Sequence, residues 1–363
     1  MKKIYFTVTN DLTYDQRMQR ICTSLAENGY AITLVGYNKP TSLPLDDKKY
    51  KQKRIHCWSL KGKSFYTEYN IRLFLYLLFK KMDAICAIDL DTIVPCLNIS
   101  RWKKIPRIYD AHELFTGLKE VVERPVVHKV WMKVEKRIVP KYLKGYTVGE
   151  AIAEEFKKRY GVNYLTIRNI PVLTPLEEKP KTTKHLLYQG AVNEGRGFEY
   201  LIPAMQWVNS KLIICGDGNF MPQLKKLIKD FKVEDKIELK GMMKPEELAA
   251  FSQSAYIGIA TPENKGLNQY LALPNKFFDY IHAGLPQINV NYPEYKKLND
   301  QYNVAVLLDD LSPENIAKQI NNLLEDGVLY KKLKENCVKT RNELNWQNEE
   351  KILLKFYQSL LTN

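Results

Sequence analysis

The chain has 363 residues, enough for two domains of ordinary size, and 45% of them are hydrophobic. Its 6 cysteines are scattered and form no Cys-x-x-Cys pair, which excludes zinc ribbons and disulfide scaffolds. No apolar run is long enough to span a membrane, and the start Met1-Lys2-Lys3 is too polar for a signal peptide, so we expect a cytoplasmic protein.

The net charge of +14 lies entirely in the first half of the chain. Residues 1–175 contain 31 Lys and Arg against 17 Asp and Glu, whereas residues 176–363 contain 24 of each kind. This asymmetry indicates that the first half faces a polyanionic surface. No nucleic-acid recognition motif accompanies the charge, so we expect no nucleic acid. An anionic membrane surface fits better, with aromatic neighbours such as Tyr66 and Trp102.

The first elements along the chain are predicted to be a strand at residues 3–9, a helix at 14–28 and a strand at 30–36. This order is typical of a Rossmann-like βαβ unit. No Gly-x-Gly-x-x-Gly follows the first strand, so tightly bound NAD or FAD is not expected. Asp15 and Arg17 lie in the first turn of the predicted helix and are candidates for a ligand contact. A plain solvated helix start is an equally good explanation of both.

A strongly apolar helix is predicted at residues 66–82, and we expect it to be a buried crossover helix. A membrane-dipping helix is the alternative. The next strand, residues 84–88, ends in Asp89-Leu90-Asp91, an acidic pattern that can indicate a metal site. Asp91 can instead cap a helix that begins at Thr92, and no other carboxylate or histidine pattern supports a metal. We therefore predict that no metal is bound.

The most informative stretch of the first half is the apolar strand predicted at residues 107–111 and the residues after it. This strand leads Asp110, His112 and Glu113 to the carboxyl edge of the sheet. Three ionisable groups within four residues at this edge are a better site candidate than any one of them alone. The alternative for His112 is a core histidine bonded to a backbone carbonyl.

Residues 171–184 are rich in Pro, Thr, Lys and Glu and have no hydrophobic periodicity, which is typical of a linker. We therefore predict an N-terminal domain over residues 1–172 and a C-terminal domain over residues 173–346.

The second domain is predicted to open with a strand at residues 185–189, followed by a glycine-containing loop. Gly190 and Gly195 allow a ligand to approach the backbone, and the guanidinium of Arg196 can bind phosphate. A surface turn with a solvated arginine is the alternative. The later turn at Gly216-Asp217 is weaker evidence for a ligand site, because such turns are common.

The clearest local signal is a short helix that is predicted to begin at Pro274 and to end before Gly284. It lies between two β-prone runs, so its start is expected at the carboxyl edge of a parallel sheet. The backbone amides of Asn275, Lys276 and Phe277, together with the lysine charge, would attract an anion at this start.

Asp279 follows three residues after Lys276 and lies on the same helix face. Its carboxylate can accept two hydrogen bonds from a diol such as a ribose. The two residues therefore suit a diphosphate with its ribose. A solvated Lys–Asp pair is the alternative.

The segment with Pro274-Asn275-Lys276 and Asp279 resembles the donor-binding helix of the retaining GT-B glycosyltransferases of family 4. The commoner motif there is Glu-x7-Glu; Asp279 takes the second acidic position, whereas the first falls on Leu271. The resemblance covers essentially the whole chain. It implies an α/β GT-B fold of two facing Rossmann-like domains with parallel sheets and an interdomain cleft. The C-terminal helix, residues 347–361, would pack back on the first domain.

The resemblance also implies roles for single residues. His112 would contact the donor sugar, Asp279 would hold the donor ribose, and Arg196 would bind the diphosphate. The family usually has a further cation, an arginine, at the position that is Ala191 here, so we infer that Lys276 supplies the missing charge. The other residues expected on the donor side are Gly190, Gly195, Gly216, Asp217, Met242, Pro274 and Asn275. The acceptor or cleft candidates are Asp15, Arg17, Asp110 and Glu113.

The implied function is metal-independent transfer of a sugar from a nucleotide sugar to a hydroxyl, with anomeric retention and without a bound cofactor. The basic first domain suggests a lipid-linked or glycan acceptor, as in surface polysaccharide assembly at the inner face of the cytoplasmic membrane. Two alternatives stay open. A nucleotide-sugar 2-epimerase of the same fold would need further acid–base carboxylates. A non-catalytic partner that binds a nucleotide sugar or a transferase is favoured by Ala191 and Leu271.

Overall fold

The computed structural model describes residues 1–13, 15–176 and 183–361. Its contacts divide the chain into two compact units, Met1–Asn169 with Glu349–Asn363, and Ile170–Asn348. Residues 177–182 of the predicted linker lie outside the described residues, as does Tyr14, the predicted first residue of the first helix.

The first unit is built on one parallel sheet of 7 strands. Its strands are β1 (Lys3–Thr7), β2 (Ala31–Asn38), β3 (Lys51–His56), β4 (Ala84–Ile88), β5 (Arg107–Ala111), β6 (Gly145–Thr147) and β7 (Leu165–Thr166). Its helices are α1 (Gln16–Glu27), α2 (Gly62–Leu78), α3 (Ile93–Lys103), α4 (Lys119–Val122), α5 (Pro125–Ile138) and α6 (Glu150–Tyr160). The strand order is β3-β2-β1-β4-β5-β6-β7, so β1 and β4 are central. Both are strongly apolar, as a parallel sheet covered on both faces requires.

The helix α2 differs from the expectation of a helix buried on most sides. Tyr69, Leu73 and Leu77 are buried along one face, whereas Ile71 and Leu75 are 55% and 52% exposed. The apolar run covers both faces of the helix, so the sequence gives no period by which to tell the inner face from the outer one. The first unit therefore presents apolar side chains to its surroundings.

The second unit is built on a parallel sheet of 6 strands in the order β10-β9-β8-β11-β12-β13. Its strands are β8 (Leu186–Gln189), β9 (Leu212–Cys215), β10 (Ile237–Gly241), β11 (Ile257–Ala260), β12 (Gln287–Val290) and β13 (Ala305–Leu308). Its helices are α7 (Phe198–Ala204), α8 (Met221–Asp230), α9 (Pro245–Ser254), α10 (Leu267–Leu271), α11 (Asn275–His282), α12 (Pro293–Tyr302), α13 (Pro313–Glu325) and α14 (Gly327–Thr340). The last helix of the chain, α15 (Trp346–Leu361), contributes its residues from Glu349 onward to the first unit.

Both faces of the second sheet are covered by apolar side chains. Leu186 and Tyr188 of β8 belong to one buried cluster, and Leu187 between them belongs to another that contains Tyr280 of α11. Successive side chains of a strand point to opposite faces, so α11 packs on the face to which Leu187 points. All strands are parallel, and the loops after β8, β9, β11 and β12 therefore meet at one carboxyl edge.

The prediction of an α/β fold with two Rossmann-like domains and parallel sheets is confirmed. Within the described ranges, no helix is both long and apolar enough to cross a membrane.

Candidate functional site

Two glycine loops of the second unit touch at the carboxyl edge of its sheet. Gly216 has a φ of +157°, and a Cβ added there would lie 1.9 Å from the backbone oxygen of Gly190. Only glycine fits at this contact. A Cβ on Gly190 itself would lie 3.6 Å from the Nζ atom of Lys276, so the lysine lies directly against the loop after β8. The structure thus brings together three residues that the sequence assigned to the donor side.

Lys276 lies in the first turn of α11, and its ammonium is 3.5 Å from the ring centre of Tyr188. This cation–π contact is its main interaction, because no carboxylate of the described residues lies within ion-pair distance of it. Desolvation, and then the charge of Arg196, hold the pKa of Lys276 well below its ordinary value, although Asp279 opposes the shift. Arg196 and Lys276 are therefore close enough to repel, and an anion between them would relieve the repulsion.

The start of α11 needs a correction. Pro274 is the N-cap residue, with φ −73° and ψ 151°, and not the first helical residue as predicted. Proline suits both positions because its φ is the same in each. The amide of Phe277 is also not available to an anion, since it donates to the backbone oxygen of Pro274 at 3.0 Å. The attraction for an anion at this edge comes mainly from the two side-chain charges.

The end of α11 agrees with the sequence. Gly284 has a φ of +61°, and its amide and that of Leu285 donate to the backbone oxygens of Ile281 and Tyr280. Tyr280 is fully buried and donates from its hydroxyl toward Leu187 of β8, which fixes the helix on the sheet.

Asp279 is half-buried and accepts a hydrogen bond of 2.9 Å from Nε2 of Gln189, the last residue of β8. The oxygen of the Gln189 side chain accepts in turn from Ser252 at 2.7 Å. This chain orients the Asp279 carboxylate at the same edge as Lys276. Gln189 and Ser252 were not predicted as site residues, because each is an ordinary strand or helix residue until the fold joins them.

The remaining donor-side candidates have different surroundings. Asp217 holds its own turn, since its carboxylate accepts from the amide of Gly218 at 2.8 Å and its backbone oxygen accepts from Val192. Gly195 has a φ of +79°, and its backbone oxygen accepts from the amide of Glu263 at 3.0 Å. Met242 follows β10 and is 76% exposed.

In the first unit, the predicted His112 site is a charged cluster. Nε2 of His112 lies 3.2 Å from Asp110, and its Nδ1 lies 3.7 Å from Asp89. Burial disfavours the imidazolium, but the two carboxylates outweigh it and raise the pKa of His112 to about 9. The alternative of a neutral core histidine is thus not the observed arrangement. His112 is positively charged at neutral pH and can donate a hydrogen bond to a ligand oxygen.

Arg17 and Asp110 form a buried ion pair of 2.9 Å. Arg17 also donates to the backbone oxygen of Ile167 at 3.0 Å, and its side chain is 3% exposed. Burial opposes the ionisation of Asp110, but Arg17 and His112 outweigh it and hold the pKa of Asp110 below its usual range. The two residues were predicted as cleft contacts. They contact each other instead, and they are too deeply buried to reach a ligand.

The other two cleft candidates also have distinct surroundings. Asp15 caps α1 by accepting from the amide of Met18 at 3.0 Å, and it accepts from Asn10 at 3.1 Å. Its position therefore fits the helix-start explanation. Glu113 is exposed next to His112, at the end of the sheet where a ligand can reach it.

The acidic pattern after β4 was misjudged. Asp91 does not cap α3, whose N-cap residue is Thr92 without a side-chain cap bond; its carboxylate accepts instead from Thr9. Asp89 has a φ of +55°, rare for a residue other than glycine, and its carboxylate accepts from the amide of His112 at 2.9 Å. Burial raises the pKa of Asp89 to about 8. The described residues contain no group of three or more metal-ligating side chains arranged to hold a metal ion.

Comparisons with known proteins agree with this architecture. Residues 174–340 match the family described as glycosyl transferases group 1. The chain is 20% identical over 250 residues to the alpha-monoglucosyldiacylglycerol synthase of Streptococcus pneumoniae, covering 60% of this chain and 53% of that protein. The chain therefore spans about half the length of the curated relative that it matches.

Two solved structures show the same fold over the whole chain. The sucrose-phosphate synthase of Thermosynechococcus elongatus superposes with a TM-score of 0.84 at 15% identity and covers 100% of both chains. The Anabaena protein HepE in complex with UDP-glucose superposes with a TM-score of 0.77 at 12% identity and covers 99% of this chain and 100% of that one. The match to the group 1 glycosyl transferases thus covers residues 174–340, and the whole chain has the GT-B fold.

Proposed function

We propose that this chain is a group 1 glycosyltransferase, a retaining, metal-independent enzyme of family 4 that transfers a sugar from a nucleotide sugar to a hydroxyl acceptor. The observation that carries the proposal is the Arg196–Lys276 pair beside the glycine loops of the second unit. Among the residues that the structure describes, no carboxylate lies within ion-pair distance of either cation. The HepE structure holds UDP-glucose, which makes a uridine diphosphate sugar the first donor to test.

Arg196 and Lys276 supply positive charge for the diphosphate that leaves during the transfer. In the transfer, the bond between the anomeric carbon and the diphosphate oxygen breaks, and the acceptor oxygen forms a bond to the same face of that carbon. The acceptor proton passes to the departing phosphate. Negative charge develops on the diphosphate, and two preorganised cations aimed at it contribute several kcal/mol, about the value of comparable sites. Arg196 and Lys276 take the role that a metal ion has in other transferases.

Asp279 and His112 complete the assignment. Asp279, oriented by Gln189, would accept hydrogen bonds from the donor ribose. His112, protonated at neutral pH, would donate a hydrogen bond to a hydroxyl of the donor sugar. No side chain is assigned as a covalent nucleophile, which fits displacement and attack on one face of the sugar.

A membrane-held acceptor is supported by the surface of the first unit. On α4 and α5, Val122, Val126 and Val130 are spaced four residues apart and are 43%, 68% and 51% exposed. Exposed basic residues accompany them at Arg124, Lys129, Lys133, Lys136 and Arg137. This combination is typical of a helix that lies on an anionic bilayer. The name of the Streptococcus relative, a glucosyldiacylglycerol synthase, also suggests a lipid acceptor.

The test is a transfer assay with UDP-, GDP- and ADP-sugars, with lipid and soluble acceptors, and with or without anionic vesicles and EDTA. We expect nucleotide release that EDTA does not inhibit, and a product whose anomeric carbon has the same configuration as in the donor. We also expect faster transfer to lipid acceptors on anionic vesicles. An inverted product, or activity lost with EDTA, would contradict the mechanism. Equal rates with every acceptor and vesicle would contradict the membrane-held acceptor.

The non-catalytic alternative is favoured by Ala191 and Leu271, which stand where the family usually has an arginine and a glutamate. A protein of that kind would bind the nucleotide sugar and release no nucleotide under any of these conditions. Any transfer or donor hydrolysis that depends on Lys276 excludes it.

A further inference from the structure

Three side chains of the second unit gather around the loop that carries Arg196. Glu263 donates its amide to the backbone oxygen of Gly195 at 3.0 Å, and Gln269 donates to the same oxygen from Nε2 at 3.3 Å. A Cβ on Gly197 would lie 1.9 Å from the backbone oxygen of Thr261 and 2.9 Å from its hydroxyl. Thr261, Glu263 and Gln269 therefore all lie against residues 195–197.

Each of the three has a buried polar atom that bonds to no other atom of the described chain. These atoms are Thr261 Oγ1, Glu263 Oε1 and Gln269 Oε1. Glu263 is the most notable, because the residue is only 5% exposed while one oxygen of its charged group lacks a hydrogen bond. Leaving such an atom unpaired is unfavourable, so a ligand, an ion or an ordered water is expected to pair with it.

The chemistry of the three atoms selects the ligand. A carboxylate oxygen and an amide oxygen only accept hydrogen bonds, and the threonine hydroxyl both accepts and donates. A ligand that pairs with all of them presents several hydrogen-bond donors close together, as the hydroxyls of a sugar ring do. A phosphate would be repelled by the Glu263 carboxylate and belongs with Arg196 instead.

We infer that Glu263 binds a hydroxyl of the donor sugar and, with Thr261 and Gln269, determines which sugar the enzyme accepts. This inference rests on the proposed function. The motif spacing assigns the first acidic residue to Leu271, an apolar residue at the end of α10. Glu263 stands 16 residues before Asp279, and α10 lies between them.

A purely structural role is the alternative, since Oε2 of Glu263 also forms an ion pair of 2.8 Å with Lys265. Lys265 is 41% exposed, so this pair contributes little to stability. The two roles differ in what they affect. A residue that only supports the loop affects binding of the diphosphate and of the sugar conjugate alike, whereas a sugar contact affects the conjugate alone.

The experiment measures, by calorimetry, the Kd of UDP against UDP-glucose, GDP against GDP-mannose, and ADP against ADP-glucose. Wild type is compared with E263Q, with K265M, which breaks the ion pair and keeps Glu263, and with E314Q, an exposed glutamate in the first turn of α13. For the nucleotide pair that binds wild type, we expect E263Q to raise the Kd of the sugar conjugate at least tenfold and the Kd of the free diphosphate less than twofold. K265M and E314Q should each change both Kd values less than threefold.

Two further variants keep the inference falsifiable. E263D retains the charge on a shorter side chain, and it should weaken binding of the sugar conjugate by an intermediate factor. It can be measured even if E263Q does not fold. E263Q/L271E should not recover binding, and recovery would assign the contact to position 271. An equal loss for diphosphate and conjugate in E263Q, or no loss, overturns the inference and leaves the proposed function standing. If wild type binds none of the nucleotides, both are overturned.

Discussion

Arg17 of the first unit and Lys276 of the second are both desolvated cations at the carboxyl edge of a parallel sheet, yet only Arg17 has a carboxylate partner. Its guanidinium is 2.9 Å from Asp110, whereas Lys276 has an aromatic ring and a second cation nearby. A buried charge that is paired within the protein is compensated, so that removing its partner destabilises the fold. A charge left without an internal partner at such an edge is available to a ligand.

The largest effect that this comparison predicts is on the stability of the first unit. R17M leaves the buried Asp110 with His112 as its one remaining positively charged partner among the described residues, and removing one member of a buried pair costs about 3–5 kcal/mol. Denaturant unfolding of R17M should show this loss. R17M/D110L removes both charges and should recover most of it. Unfolding of R17M within about 1 kcal/mol of wild type would show that the pair is not structural.

A smaller effect is expected at His112. Since Asp89 is one of the two carboxylates beside the ring, D89N should lower the pKa of His112 from about 9 by about one unit, which corresponds to about 1.4 kcal/mol. The chain has only 5 histidines, so an NMR titration of the ring protons can measure the change, with the other resonances as internal references. An unchanged titration of His112 would remove Asp89 from the cluster.

The same pKa predicts a pH dependence of stability. The folded pKa of His112 is raised above the ordinary value of 6.5, so the folded state binds the proton more tightly than the unfolded chain does. The stabilisation is fully present below pH 6.5 and is lost as the pH rises through about 9. H112N should show a smaller loss than wild type, which denaturant unfolding at pH 6 and pH 9.5 measures. Part of the loss stays in both proteins, because the pKa of Asp89 is also raised, to about 8. An equal loss of stability in H112N and wild type would mean that other groups cause the pH dependence.

The smallest effect is expected for removal of the unpaired cation. The folded pKa of Lys276 is lowered, so between that value and 10.5 the unfolded chain binds more protons and stability rises with pH. K276M should show a smaller rise and should be within about 1 kcal/mol of wild type at neutral pH. A loss as large as that of R17M would mean that Lys276 supports the fold and is not kept for a ligand.

The parts of the site that lie within one local element could be predicted from the sequence. Lys276 and Asp279 belong to one short helix and Gly284 follows its end, so the spacing and the end signals are visible in the chain. The environment of Arg17 could not be predicted, because its partner Asp110 is 93 residues away and only the fold brings them together. Asp89 was considered only as part of a metal pattern, and its place beside His112 was not predicted, because its backbone conformation has no sequence signal.

Glu263 shows a different limit. The motif spacing points only to position 271, whereas the buried, unpaired oxygen of Glu263 becomes visible only in the fold. The parallel pairing was predictable from the alternation of strands and helices, whereas the strand order was not predicted. The exposed outer face of α2 was not, because an apolar run gives no period from which to identify the buried side.

The central claim is that Arg196 and Lys276 together bind the diphosphate of a nucleotide. The most direct measurement is calorimetric titration of wild type, R196M and K276M with UDP, GDP and ADP and with the matching nucleosides, which lack the diphosphate. We expect one diphosphate to bind wild type and to bind each variant about 10- to 100-fold more weakly, as the loss of one charged contact implies. The matching nucleoside should bind all three proteins equally. K276M binding the diphosphate as tightly as wild type would contradict the claim.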